Sequence, residues 1–292
     1  MREFIDCMKN EKRKADNTIR AYERDLSAFD LFLKERGAKG LRDCTDNDAV
    51  SYVLELGTEN KSKSTINRRV SSLKTYYDFL VDRGEMDSNP FSKIRSAKND
   101  RRKIDYLTVE ETAALMDLPF DDKKGIRDKA LLEFMYGTGA RVTEVVRLRF
   151  SDVNLRMNFV TLKDTNDESR IVPLGRYAAE AMREYAGEVY DSIKGAPHSD
   201  DDFVFINMRG DALTRQGIWK ILKDYGRELG IEERMTPQIL RDSFAVHILQ
   251  RGGDLKTIQE LMGFDDMTIG IAYLAVTEIH VRDVFSKCHP RA

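Results

Sequence analysis

Between Thr236 and Leu274 the chain is punctuated so tightly that only a run of short helices fits. Thr236 suits a helix N-cap, because its hydroxyl can accept from a backbone N–H that the helix leaves unbonded. Pro237 suits the first helical position, where its missing N–H is not needed. Gln238 and Arg241 stand three apart, on one face over the first turn. Gly252-Gly253 stops this helix, Asp254 can cap the next, Leu255 to Met262, and Gly263 ends it. A third segment, Met267 to Leu274, carries Tyr273. The spacing predicts an arginine, an amide and a phenol converging on one pocket floored by helix starts, which suits an anion.

Upstream, apolar periodicity predicts more helices. Ile19, Tyr22, Leu26, Phe29 and Leu33 recur at three and four residues over Thr18 to Gly37. Asp46 or Asn47 can start a helix through Val50, Val53 and Leu54. Ser64 to Asp82 carries the stripe Ile66, Val70, Leu73, Tyr77 and Leu80, with Lys61, Arg68 and Lys74 elsewhere on its surface. Residues 1–88 therefore read as an all-helical bundle of about four helices. Asn89-Pro90 breaks the pattern, and residues 89–105 read as an exposed basic linker that includes Arg101, Arg102 and Lys103.

The remainder, 106–292, opens on Thr108-Val109-Glu110-Glu111, which has capping-box spacing. A helix over Ile126 to Tyr136 is followed by a sharp turn at Gly137-Thr138-Gly139 and a second helix beginning at Arg141. Phe159 to Leu162 and Arg170 to Leu174 are short strand candidates, with the polar Lys163 to Ser169 as a hairpin turn. Helices return at Ala178 to Tyr190 and Thr214 to Leu229. The fold class is mainly α: an N-terminal helical bundle, then a mostly α domain with one small antiparallel sheet.

A chain of 292 residues has room for two hydrophobic cores. The net charge of −2 conceals an asymmetry: residues 1–105 sum to +4 and residues 106–292 to −6, while 61–103 hold 12 basic against 5 acidic residues. Phosphate binding depends on such a local patch and not on the sum, although a solvated helix face plus a charged tether gives the same counts. No apolar run reaches the ~18 residues of a membrane span, and the N-terminus lacks an apolar signal core. Cys7, Cys44 and Cys288 are far apart and outside any zinc spacing. A reducing, cytoplasmic setting is expected, with no membrane partner.

Tyr136-Gly137-Thr138-Gly139-Ala140-Arg141-Val142-Thr143-Glu144 is the second informative stretch. Its glycines could let the backbone approach an anion, with Arg141 beside a positive helix end; a tight turn with a surface arginine is the plainer alternative. Taken with Arg170-Ile171-Val172-Pro173-Leu174, Leu240-Arg241-Asp242-Ser243-Phe244-Ala245, Leu261-Met262-Gly263, Tyr273 and the ending His289-Pro290-Arg291-Ala292, it resembles the tyrosine recombinase (phage integrase) family, Xer type. The resemblance runs over nearly the whole chain.

That resemblance implies a two-domain, C-shaped clamp on double-stranded DNA and a chemistry without metal or cofactor. Tyr273 would attack a phosphodiester, form a 3′-phosphotyrosine and release a 5′-hydroxyl, and another strand's hydroxyl would reverse the step. Arg141 and Arg241 would fork the non-bridging oxygens, with Glu144 orienting Arg141. Residues 1–88 would bind DNA, with Arg68, Arg69 and Arg215 as candidate contacts and the linker arginines as a strap. Four protomers would assemble on DNA, alone or with a second recombinase, with the segment Glu278 to Ala292 docking on a neighbour.

Three positions depart from the family pattern. Where a hairpin lysine usually protonates the leaving oxygen, ungapped counting gives Thr165, with Lys163 the nearest substitute. The usual histidine three before the second arginine is Gln238, and the usual His or Trp after Leu-x-Gly is Phe264. Asp242 follows Arg241, where histidine is common, and its charge could partly offset that arginine; His247 reads as structural. A slower recombinase is the leading expectation. A DNA-binding paralogue with weak or lost strand transfer, acting as an architectural or regulatory partner, and a type IB topoisomerase are the alternatives.

Overall fold

In the computed structural model, which describes residues 1–10, 16–95, 104–165, 167–264, 267–274 and 276, the buried apolar residues form one core in the first part of the chain and two in the second. The chain divides between Arg102 and Lys103. The first unit contains α1 (Arg2–Asn10), α2 (Asp16–Glu35), α3 (Asp46–Thr58) and α4 (Lys63–Asp82). Leu26, Phe29 and Leu33 of α2 meet Val70, Leu73, Tyr77 and Leu80 of α4 in one cluster with Phe4, Met8 and Phe91. Tyr77 is buried but not unsatisfied, since its hydroxyl donates to the Leu41 carbonyl at 2.7 Å. Helices α2 and α4 start slightly upstream of the expected residues, and α3 starts at Asp46 as expected. Thr45 caps α3 in a reciprocal box with Asp48, and Ser62 caps α4 by accepting from the Thr65 N–H. In each case the side chain just outside the helix satisfies a donor that the first turn cannot.

The second unit begins with α5 (Val109–Met116), boxed by Thr108 and Glu111 as expected, and α6 (Lys123–Thr138), capped by Asp122. Helix α6 continues through Gly137 and Thr138, so the expected three-residue turn narrows to Gly139, which takes the left-handed conformation (φ 60°). The helix expected from Arg141 is a single turn, α7 (Val142–Val145). Strands β1 (Val153–Asn154), β2 (Phe159–Lys163) and β3 (Ser169–Pro173) form an antiparallel sheet in that order. Strand β1 is two residues long and leaves no alternation to read. Lys163 was expected in the turn but pairs with Ser169 as the last rung of β2, and the turn closes over 164–168 through Asp164 N–H to the Glu168 carbonyl at 2.9 Å.

Helix α8 (Arg176–Glu184) runs through a wider turn at Tyr185–Tyr190 into α9 (Asp191–Lys194). Then come α10 (Arg215–Glu228), α11 (Pro237–Gln250), α12 (Leu255–Met262) and α13 (Met267–Leu274), with Thr236, Asp254 and Gly263 in the capping roles their residue types suggest. Helix α11 is buried nearly all round, from Pro237 to Leu249. It packs against α6, α10, α12 and α13, which explains why no amphipathic stripe marks it. Polar side chains on such a helix must find partners inside the protein, and those of α11 assemble the site. Among the described residues, no helix is long and apolar enough to cross a membrane.

Candidate active site

The end of α12 is where three guanidiniums meet. A helix leaves its last carbonyls without intrahelical partners and carries partial negative charge there. Those of Leu261, Met262 and Gly263 each accept from a different arginine: Arg170 Nε at 2.7 Å, Arg241 Nη2 at 2.6 Å, and Arg141 Nη2. Arg241 also donates to the Gly139 carbonyl. The left-handed Gly139 therefore turns a backbone oxygen toward α11, and a Cβ there would stand 2.5 Å from the Phe244 ring. Gly139→Ala is expected to cost about 1–2 kcal/mol in backbone conformation alone and to slow any reaction needing Arg241. Denaturation midpoint and reaction rate, measured together, check both effects.

Glu144 is the common counter-charge. It is 2% exposed and accepts both forks of Arg170, at 2.6 and 2.9 Å, together with Arg141 Nη1 at 2.9 Å and the Arg141 backbone N–H at 2.7 Å. Burial alone would raise its carboxyl, but hydrogen bonds and charge from Arg170 and then Arg141 outweigh that and hold it below the ordinary glutamate value. Arg241 is moved the other way. Burial, reinforced by the positive charge of Arg141, pushes its guanidinium down to about 10, which still leaves it cationic at neutral pH. The groups whose charges act on Arg241 include Arg141, Glu144, Arg170 and Tyr273; the arginines, expected over helix starts, meet instead at the carbonyl end of α12.

Tyr273, on α13, is 4% exposed in a cluster with Phe264, Phe244 and Met262. Its hydroxyl donates to Asp242 Oδ1 at 2.7 Å, and Gln238 Nε2 donates to the same oxygen at 2.8 Å. Consecutive helical side chains point about 100° apart, and the Asp242 carboxylate faces the phenol and the amide. Arg141 and Arg170 reach a cleft of 370 Å³ whose other walls are Asp164, Glu168, Ser169, Gly263, Phe264 and Ile269. Each guanidinium has five N–H donors, more than these bonds use, so the cluster retains capacity for an anion.

Other expected residues lie elsewhere. Lys163 is bonded to the buried Asp152 at 2.5 Å and lines a second cavity together with Glu144, Arg147 and Arg149. Thr165 is exposed in the hairpin turn. His247 is buried and shares a 2.9 Å hydrogen bond with the Tyr136 hydroxyl. In the first unit, Arg68 pairs with the buried Asp25, which also accepts from Ser72 at 2.8 Å, and Arg69 donates to the Tyr52 hydroxyl at 3.0 Å. Arg215 is exposed at the start of α10, on the helix that also exposes Trp219. Arg101, Arg102, Lys103, Cys288 and the segment Glu278 to Ala292 lie outside the described residues. Arg170 was read only as a strand residue. In the sheet it stands opposite Leu162.

Residues 105–280 match the phage integrase family, and residues 1–84 match the phage integrase N-terminal SAM-like domain. The chain belongs to the phage integrase family, the tyrosine recombinases. Within it, the chain is similar to recombinases of the Xer type. Tyrosine recombinase XerD of Listeria innocua is 36% identical over 292 residues, covering 99% of this chain and 98% of the relative. XerD of Oceanobacillus iheyensis is 35% identical over 291 residues, with 99% and 98% covered. The fold is shared with the Tn1549 transposon integrase in complex with transposon right end DNA (TM-score 0.75, 20% identity, 98% of each chain). It is also shared with XerH bound to palindromic difH in a post-cleavage complex (TM-score 0.75, 20% identity, 92% of this chain and 78% of that one).

Proposed function

We propose that this chain is a site-specific DNA recombinase that cuts and rejoins duplex strands through a 3′-phosphotyrosine on Tyr273. The observation carrying this reading is that Arg141 and Arg241 grip adjacent carbonyls at the end of α12 while the Tyr273 hydroxyl is bonded to Asp242, the residue after Arg241. Negative charge accumulates on the non-bridging oxygens of a phosphoryl transition state, and preorganised guanidiniums answer it without reorganising. Arg141 and Arg241 are the oxygen-binding pair. Glu144 and Arg170 hold Arg141 in place, and Phe264 packs behind the nucleophile.

DNA as the partner follows from relatives named as recombinases and from the DNA complexes that share the fold. Residues 1–88 supply a DNA-binding domain, 89–105 a basic linker and 106–292 the catalytic domain. Arg68, Arg69 and Arg215 serve as backbone or base contacts. Four protomers on DNA, alone or with a second recombinase, in the cytoplasm and in the service of chromosome segregation, complete the reading. With Lys163 engaged by Asp152 and Gln238 in place of a proton-shuttling imidazole, a slow enzyme is favoured over an inactive DNA-binding paralogue, because the cation cluster is retained whole.

The test is a nicked duplex taken from a sequence pool selected for binding to the protein. Loss of the short 5′ fragment traps the intermediate, and proteolysis with mass spectrometry should place one 3′-linked nucleotide on Tyr273. Tight binding with no adduct, or an adduct on another residue, would overturn the proposal.

A further inference from the structure

We infer that Asp242 is the base that takes the Tyr273 proton during strand cleavage and returns it on rejoining. The inference rests on the reading of Tyr273 as nucleophile and adds the group that activates it. A tyrosine hydroxyl ionises near ~10, so attack at neutral pH needs an acceptor within hydrogen-bond reach. Asp242 Oδ1 meets the hydroxyl at 2.7 Å, and the carboxylate is 3% exposed, so bulk water does not take its place. Gln238, one helical turn earlier, donates to the same oxygen at 2.8 Å. That contact fixes the carboxylate's orientation.

The placement follows from α11. Arg241 and Asp242 are consecutive, so one turn presents a cation toward the α12 carbonyls and a carboxylate toward the phenol. The neighbouring cation on α11 is Arg241, and the charges of Arg141 and Glu144 at α7, Arg170 on β3 and Tyr273 act on it. His247 lies further along α11 and is bonded to Tyr136. Gln238 and Asp242 thus act together: an amide that cannot accept the phenolic proton holds a carboxylate that can.

In the forward step the Oη–P bond forms and the P–O5′ bond breaks. The phenolic proton passes to Asp242, the electron pair leaves on the 5′ oxygen, and that oxygen takes a proton from water. In the reverse step the incoming 5′-hydroxyl attacks phosphorus and gives its proton to water. The departing Oη recovers the proton held by Asp242.

The experiment measures single-turnover adduct formation by the full chain on the nicked duplex, with Asp242→Asn and Asp242→Glu beside the wild type. Asparagine is expected to slow the adduct by ~10²–10⁴ without weakening duplex binding, and glutamate to recover part of the rate. The wild-type advantage should shrink as pH rises, because solvent removes the phenolic proton more readily in the variant. A substrate with sulfur at the 5′ bridging position should leave the defect in place, since a thiolate leaves without a proton. Asparagine equal to or faster than wild type would make Asp242 a latch on Tyr273 and overturn the inference. So would a defect that is constant with pH, or one that sulfur abolishes. No adduct from the wild type, or one formed by Tyr273→Phe, would instead overturn the nucleophile reading, and the inference with it.

Discussion

Tyr273→Phe is expected to abolish the covalent protein–DNA adduct completely while duplex binding persists. The substitution removes one oxygen and leaves the ring in its cluster with Phe264, Phe244 and Met262. The free protein loses the O–H···O bond to a buried carboxylate, which keeps its hydrogen bond from Gln238. The expected stability cost is about 1–3 kcal/mol, too little to unfold a domain whose core is otherwise intact. Adduct gels and salt titrations of binding on the same preparation separate chemistry from affinity. An adduct in the phenylalanine variant would place the nucleophile elsewhere in the chain.

Glu144→Gln is expected to lower stability by about 3 kcal/mol and to slow cleavage together with it. Removing one partner from a buried ion pair typically costs about 3–5 kcal/mol, because the remaining charge is stranded. The lower end applies because the Arg141 side chain is 37% exposed and can turn to water, whereas Arg170, at 12%, cannot do so freely. The sign with pH is definite. The folded-state pKa of Glu144 lies below the unfolded value of about 4.3, so its contribution is fully present above that value. It is lost as pH falls through the folded pKa. Denaturation curves at neutral and acid pH should therefore show the gap between wild type and variant closing on acidification. A gap independent of pH would mean that the carboxylate charge is not what holds the pair of arginines.

The elements legible in the sequence are those whose signals are local. Thr236, Pro237, Asp254 and Gly263 mark helix boundaries because caps are satisfied within four residues. The stripe on α4 is legible because one face of that helix does all the packing. Helix α11 is legible only through its ends, since burial on every side removes the periodicity. Lys163 could not be placed from its neighbours, because its partner Asp152 is set by the register of β2 against β1 and the turn before it. The acceptors that gather the arginines are backbone carbonyls, and a main-chain oxygen leaves no mark in a sequence. Asp242 was visible as a departure from the family pattern, but its direction depends on where α13 returns to α11.

The last turn of α12 holds Arg170, Arg241 and Arg141 by three successive oxygens, and the chain leaves it at Gly263 toward the segment bearing the phenol. A tug on that segment is thus transmitted to the same hub that spaces the cations. Displacing the hub would scatter all of them at once, so the machinery should switch between fully assembled and fully idle, with few half-built states in which a strand could be cut and left unsealed.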